Sequence, residues 1–234
     1  MRELDKSNGR GRLFVLEGID GSGKSTQFKA LCSRLESENT HFDRLVFPRY
    51  DKPSSNLIRM YLGGEFGDRP DDVNAYAASM FYAADRYASF RSEWEQGYRK
   101  GELFLSDRYT TSNAVHQGAK VPSAQLDAFL DWLFDFEYNK LALPEPDLVI
   151  YLDADMETAA AAVQKRRQAS GSDMRDIHEL DTEYLSKCME TGRRAAELCS
   201  WEVINCGSDG IMRGIDDIHE EVYSIIKNSA ILDF

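Results

Sequence analysis

Eight consecutive residues, Gly18-Ile19-Asp20-Gly21-Ser22-Gly23-Lys24-Ser25, constrain what this chain can fold into more than anything else in its 234 residues. They match the pattern GxxxxGK[ST] without a gap. The flanks agree with that pattern. Residues 13–17 (LFVLE) read as a buried strand, and a helical stretch opens at Ser25-Thr26-Gln27. A strand that breaks into glycines and restarts as a helix aims several backbone N–H groups, and the positive end of the helix, at one spot. Side chains would block that approach, which is why the turn needs glycine. The expected nucleotide cradle is Gly18, Ile19, Asp20, Gly21, Ser22, Gly23, Lys24, Ser25 and Thr26. Within it Lys24 lays a point charge on the β and γ phosphates, and Ser25 offers its hydroxyl to magnesium. The competing reading is an ordinary glycine-rich strand-to-helix turn.

Four more short runs are apolar on consecutive residues: 44–47 (RLVF), 103–106 (LFLS), 148–152 (LVIYL) and 201–205 (WEVIN). Unbroken apolarity, rather than alternation, marks parallel strands covered on both faces. The stretches between them are long enough for crossover helices. The expected architecture is α/β, a three-layer P-loop NTPase fold with a five-stranded parallel sheet flanked by helices. Residues 1–11 read as a flexible tail and 12–234 as one domain. Residues 166–181 (RRQASGSDMRDIHELD) are polar, rich in basic side chains and broken by Ser-Gly-Ser, so a mobile lid is expected at about 165–181.

The longest helix is expected over residues 71–98. Val73, Tyr76, Ala77, Met80, Ala84, Tyr87, Ala88 and Trp94 recur at helical spacing and form the predicted core stripe. Tyr82, Asp85, Arg86 and Ser89 share another face, which reads equally as solvated surface or as part of a site. Further helices are expected at 125–138, 156–168, 181–198 and 214–226.

A second landmark is Leu103-Phe104-Leu105-Ser106-Asp107-Arg108-Tyr109. An apolar strand ending in aspartate places a carboxylate near the metal of a bound nucleotide. Arg108 follows at the C-terminal edge of the sheet, where ligands of open α/β folds bind. The alternative is an Asp107–Arg108 ion pair that only caps the strand. A guanine-reading NKxD motif is missing, because Asn139-Lys140 runs into Leu141-Ala142. The formal net charge of −12 argues against DNA, RNA and anionic membranes as partners. Cys32, Cys188, Cys199 and Cys206 form no CxxC pair, so they read as reduced structural thiols. The opening MRELDKSNGRGR has no apolar core of a signal peptide, and no apolar run reaches membrane length, so the expected compartment is the cytoplasm. A small-molecule kinase remains.

From the loop onward the chain resembles the thymidylate kinase family. The resemblance rests on Glu17 through Thr26, on Phe47-Pro48-Arg49-Tyr50 and on Phe81-Tyr82-Ala83-Ala84-Asp85-Arg86. It continues through Asp107-Arg108-Tyr109, Ser112-Asn113-Ala114, Gln117-Gly118 and Leu143-Pro144-Glu145-Pro146-Asp147-Leu148. The resemblance implies transfer of the γ-phosphoryl group of ATP, with Mg2+, to dTMP, giving dTDP in a homodimeric enzyme. Tyr82 would stack on thymine, Arg86 would bond a base carbonyl, and Asp85 would help hold Arg86. Arg49 and Arg108 would clamp the acceptor phosphate, with Arg108 also reaching toward the γ-phosphate. Asn113 and Gln117 would face base or sugar, beside Tyr50 and with His116 where bacterial members often carry tyrosine near the deoxyribose. Asp20 would meet the sugar hydroxyl or the magnesium shell, next to Ser25 and Asp107. Gly21 and Ser22 stand where type-one members carry an arginine, so the catalytic arginine would come from the lid, from Arg166, Arg167 or Arg175 beside Lys165. The acceptor oxygen is already anionic, so no general base is expected. Rival readings are a kinase for another nucleoside monophosphate, or for a nucleoside, and a nucleotide-binding regulatory protein without turnover.

Overall fold

The computed structural model of the chain describes residues 10–170 and 182–229. The first strand, β1 (Arg12–Gly18), is buried along almost its whole length. Leu13 and Val15 point to one face of the sheet and Phe14 and Leu16 to the other, and all four are fully buried. That double burial is why the run is apolar without alternation. Around β1 lie β2 (Asp43–Val46), β3 (Leu103–Asp107), β4 (Leu148–Ala154), β5 (Glu202–Ser208) and β6 (Ile211–Met212). The order is β2-β3-β1-β4-β5-β6, with the first five parallel and β6 antiparallel to β5. The sheet is thus the expected five parallel strands plus a two-residue edge strand, too short to leave a periodic pattern in the sequence.

Helices cover both faces. On one side α1 (Lys24–Ser37) supplies Leu31 and Leu35, and the last helix supplies Ile218, Val222 and Ile226. On the other, Phe90, Trp94, Tyr98 and Tyr109 pack against Leu13, Val15 and Phe104. The remaining helices are α2 (Asn56–Leu62), α3 (Ala75–Ser89), α4 (Glu95–Arg99), α5 (Thr110–Ser112), α6 (Leu126–Phe134), α7 (Met156–Ser170), α8 (Thr182–Leu198) and α9 (Ile215–Asn228). Among the described residues no helix is long and apolar enough to cross a membrane.

The long helix expected over 71–98 is broken into pieces. Asn74 caps α3, its side chain accepting from the Ala77 N–H at 2.9 Å. After Ser89 the chain widens into a π turn, Phe90–Trp94, before α4. The predicted core stripe is largely inverted. Tyr76, Met80, Ala84 and Tyr87 are exposed, whereas Ala75, Ala78, Ser79, Ala83, Asp85, Arg86 and Ser89 are buried. Small residues let the backbone of α3 approach its neighbours, and paired charges replace apolar side chains there. Of the predicted stripe, Trp94 is buried and Val73, Ala77 and Ala88 are half-buried.

At Arg10 and Gly11, the end of the expected tail, the chain is already tied down. The Gly11 N–H donates to the Tyr98 carbonyl, and Arg10 pairs with Asp147 at 3.0 Å. Asp147 also accepts from the Leu13 N–H at 2.8 Å, so one carboxylate fixes the start of β1 beside β4. At the other end of the expected lid, residues 165–170 continue α7 as helix, and residues 171–181 lie outside the described residues.

Candidate active site

The site follows from the register of the sheet. Leu16 lies opposite Asp107 and Ile150, so β1 and β3 end side by side and their C-terminal residues converge. The loop after β1 turns through Gly21 and Gly23, both left-handed at φ near 86° and 87°. A Cβ on Gly21 would stand 2.2 Å from the Ala159 carbonyl oxygen of α7, so glycine here also lets the loop rest on that helix. From this loop Lys24 Nζ donates to Asp107 Oδ1 at 2.8 Å, and Ser25 Oγ donates to Asp107 Oδ2 at 3.3 Å. Burial, and after it the nearby Arg108, push the Lys24 pKa below its ordinary value.

Arg108 holds a left-handed backbone at φ 68°, which turns its side chain back over the ends of β1 and β3. Its guanidinium meets Asp20 at 2.6 Å and Glu17 at 3.5 Å, and donates to Ser112 Oγ at 3.3 Å. Burial alone would lower its pKa, and the carboxylates of Asp20, Glu17 and Asp107 reverse that and raise it. Asp107 and Arg108 form no ion pair with each other, so the strand-capping alternative fails. Arg108 Nη1 also lies 3.1 Å from His116 Nε2. A guanidinium only donates, so Nε2 accepts and the ring carries its proton on Nδ1. Burial, then repulsion from Arg108, drives the His116 pKa down to about 3.

Arg86 and Asp85 were expected to act together, and the structure separates them. Arg86 is buried and grips Glu137 with two of its nitrogens, its Nε donating to Oε2 at 2.6 Å. Thr110 Oγ1 and Asn113 Nδ2 donate to the same carboxylate at 2.7 and 3.1 Å. Asp85 faces Arg49 instead, accepting from its N–H at 2.9 Å and its Nε at 3.1 Å. Adjacent helical residues point about 100° apart, so each finds a partner elsewhere. Arg49 also pairs with Glu93 at 2.8 Å. It lies outside the cavity lining, held by these two carboxylates. Asp20, expected at the sugar or the metal, is the carboxylate holding Arg108.

A cavity of about 350 Å³ opens between these groups. Lys24, Ser25, Asp20, Asp107 and Arg108 form its charged end, and Phe47, Leu62, Tyr82 and Tyr109 form its apolar walls. Tyr50, Arg86, Asn113, His116 and Gln117 also line it, so most of the expected acceptor residues converge on it. Arg49, Asp85 and Thr26 do not line it. The side chains of Arg166 and Arg167, and all of Arg175, lie outside the described residues.

Sequence reasoning gave no role to Glu17, Ser112, Glu137 or Leu185. Glu17 accepts from the Thr111 and Ser112 hydroxyls, both at 2.7 Å, and is fully buried. Its signal was a carboxylate closing an otherwise apolar strand. Glu137 sits in a π turn, Asp135–Lys140, with no motif around it, and Leu185 reaches the cavity from α8.

The sequence model described as thymidylate kinase matches residues 16–206. The chain belongs to the thymidylate kinase family. A thymidylate kinase of Mycobacterium tuberculosis is 29% identical over 205 residues, covering 84% of this chain and 92% of the relative. A probable thymidylate kinase of Pyrobaculum aerophilum is 31% identical over 182 residues, covering 76% of this chain and 83% of the relative. The solved thymidylate kinase structure from Candida albicans superposes with a TM-score of 0.70 at 22% identity, covering 96% of this chain and 94% of that one, a likeness of fold. The enzyme is thus a nucleoside monophosphate kinase, a phosphotransferase that draws on ATP.

Two consequences follow from the buried charges of this kinase. Glu137→Gln leaves Arg86 charged and uncompensated, and breaking a buried pair costs about 3–5 kcal/mol. Urea unfolding should show a loss of that order, and a midpoint like that of the wild type would contradict the pairing. His116 should give the NMR shifts of a neutral ring from pH 8 down to about pH 4, because its pKa lies near 3. A ring that titrates near pH 6.5 would contradict its burial against Arg108.

Proposed function

We propose that the enzyme transfers the γ-phosphoryl group of magnesium-bound ATP to thymidine monophosphate within this cavity. The observation that carries the reading is its mixed lining. It gathers Lys24, Ser25, Asp107 and Arg108 around shared carboxylates, and it carries Tyr82 one helical turn from an Arg86 held by Glu137. The charged groups suit two phosphates meeting head to head, and the aromatic ring suits a planar base read by a fixed guanidinium. In this reading Tyr82 stacks on the base, Arg86, Asn113 and Gln117 read its edge, and Tyr50 and His116 lie near the sugar. Gln117 is buried and its Oε1 has no hydrogen-bond partner among the described residues, as a residue reserved for a ligand would be.

The donor set fits magnesium. A nucleotide-bound magnesium keeps most of its ligands as water and phosphate oxygens and needs only one or two from the protein. Ser25 Oγ and Asp107 Oδ2, 3.3 Å apart at the mouth of α1, supply that number and type. The ion would neutralise phosphate charge when bound. Lys24 would leave Asp107 for the β and γ phosphates, and Arg108 would span acceptor and donor from its support on Asp20 and Glu17. No base is called for, because the acceptor is a phosphate oxygen already ionised at neutral pH. Catalysis then rests on alignment and on fixed positive charge. In the same reading Arg166, Arg167 or Arg175 brings a further cation from a lid at about 165–181, and the enzyme works in the cytoplasm as one domain.

We also infer a homodimer built on α3. Tyr76, Met80 and Tyr87 are 44%, 52% and 42% exposed and lie along one side of the helix. Tyr76 packs edge-on against Trp132 at 4.6 Å between centroids, which extends the apolar surface onto α6.

With magnesium and ATP, dTMP should be converted to dTDP with the highest kcat/KM of the nucleoside monophosphates. Arg108→Ala should lower kcat about 100-fold or more, the scale for losing one preorganised charge donor. Comparable turnover of another acceptor would overturn the assignment of the base pocket. Met80→Asp should shift the sedimentation-equilibrium mass from two chains to one, and a monomeric wild type would refute the interface.

A further inference from the structure

Lys120 lies outside the cavity lining, yet it joins the two walls. It ends a short helical run, Gly118–Lys120, that continues directly from Asn113–Gln117, so its backbone is tied to the wall bearing Asn113, His116 and Gln117. Its ammonium reaches across to the other wall. Nζ donates to the Tyr61 hydroxyl of α2 and to the Val73 carbonyl ahead of α3, the latter at 3.0 Å. The ammonium also lies 4.7 Å from the centre of the Tyr61 ring, within cation–π range. Tyr61 is fully buried and its hydroxyl donates to the Pro70 carbonyl at 3.2 Å. Leu62, Phe81 and Tyr82 pack against the cluster that Tyr61 forms with Ala78, and two of these, Leu62 and Tyr82, line the cavity.

No carboxylate pairs with this ammonium among the described residues. The nearby Asp71 acts only at longer range, and Cys188 of α8 and His116 are further titratable groups facing it besides Tyr61. Burial pushes the Lys120 pKa down to about 8, which records how poorly the charge is compensated. A half-buried charge resting, among the described residues, on neutral acceptors is a costly way to fill space, and a methionine of similar length would fill it without that cost. What the ammonium adds is two directed bonds across the cleft.

We propose that Lys120 is a positioning residue for the acceptor, a brace that ties the wall of Asn113, His116 and Gln117 to the wall of Leu62 and Tyr82 and so fixes the width of the slot for the base. It touches no substrate. The inference rests on the acceptor reading of the cavity given above.

The test compares the full-length wild type with Lys120→Met, which keeps the stem, and Lys120→Arg, which keeps a cation. In Lys120→Met the KM for dTMP should rise about tenfold to a hundredfold, as for a misplaced binding wall, with the KM for ATP changed less than threefold. Lys120→Arg should restore most of the loss. Tyr61→Phe removes the hydroxyl but keeps the ring, and should raise the KM for dTMP by a smaller factor; it carries the test if Lys120→Met does not fold. An unchanged acceptor KM in folded Lys120→Met, an equal rise in both KM values, or an arginine variant as impaired as methionine would overturn the brace. Should the wild type prefer another nucleoside monophosphate, the reading of the base pocket fails, and the brace is judged by the same KM ratio measured with that acceptor.

Discussion

Everything in this site depends on keeping several cations charged and aimed inside a largely dehydrated wall. A buried ammonium without a partner would lose its proton, and a guanidinium, which keeps its charge, would disrupt the fold. The chain answers by giving each cation an acid drawn from another part of the sequence. Lys24 has Asp107, Arg108 has Asp20 and Glu17, Arg86 has Glu137, and Arg49 has Asp85. Lys120 is the exception, held by neutral oxygens and a ring. The pairs differ in what they permit. Lys24 and Arg108 stand on the cavity wall, where a phosphate can take over from a carboxylate at little cost because one anion replaces another. Arg86 grips its acid with two nitrogens in a fully buried pocket, so its fork stays fixed whether or not a base is present.

The same logic reconciles an acidic protein with anionic substrates. A net charge of −12 sets the distant field, but that field is screened over about 8–10 Å in physiological salt. Inside the cleft the local arrangement governs. Asp20, Asp107 and Glu17 hold Arg108 and Lys24 as cations, and the N-terminus of α1 adds its dipole at the same point. The acidic net charge is therefore no obstacle to binding two phosphates.

How much of this was legible in the sequence depends on whether the determining contacts are local. The loop from Gly18 to Ser25 was readable because its chemistry lies within eight residues, and β1, β3 and β4 because burial on both faces leaves an unbroken apolar run. Glu137 was not readable: its partner Arg86 is 51 positions away, and nothing near Glu137 signals a buried acid. Asp85 was misjudged for a related reason, since adjacency to Arg86 suggested a shared task that helix geometry does not allow. The stripe on α3 failed because the rule that apolar residues face the core assumes a core made only of apolar side chains. Here the buried face of α3 is small and charged, built to carry Arg86 and Asp85, and the large apolar side chains are left outside.

That inversion ties the catalytic cleft to the proposed subunit contact. Because α3 is one rigid element of 15 residues, its two faces cannot move independently. Its inner face presents Tyr82 and Arg86 to the cavity, and its outer face leaves Tyr76, Met80 and Tyr87 exposed. Within one chain the position of α3 is held by the Arg86–Glu137 and Arg49–Asp85 pairs, by the contact of Tyr61 with Phe81 and, at one end of the outer stripe, by Tyr76 on Trp132. A partner packed on the outer stripe would press the helix from the other side and bury apolar surface that stabilises by roughly 25 cal/mol per Å². Dimerisation and acceptor recognition would then draw on the same constraint. The residues that look misplaced on a lone chain, tyrosine and methionine outside and arginine within, are arranged as a helix needs them when it must be held from both sides.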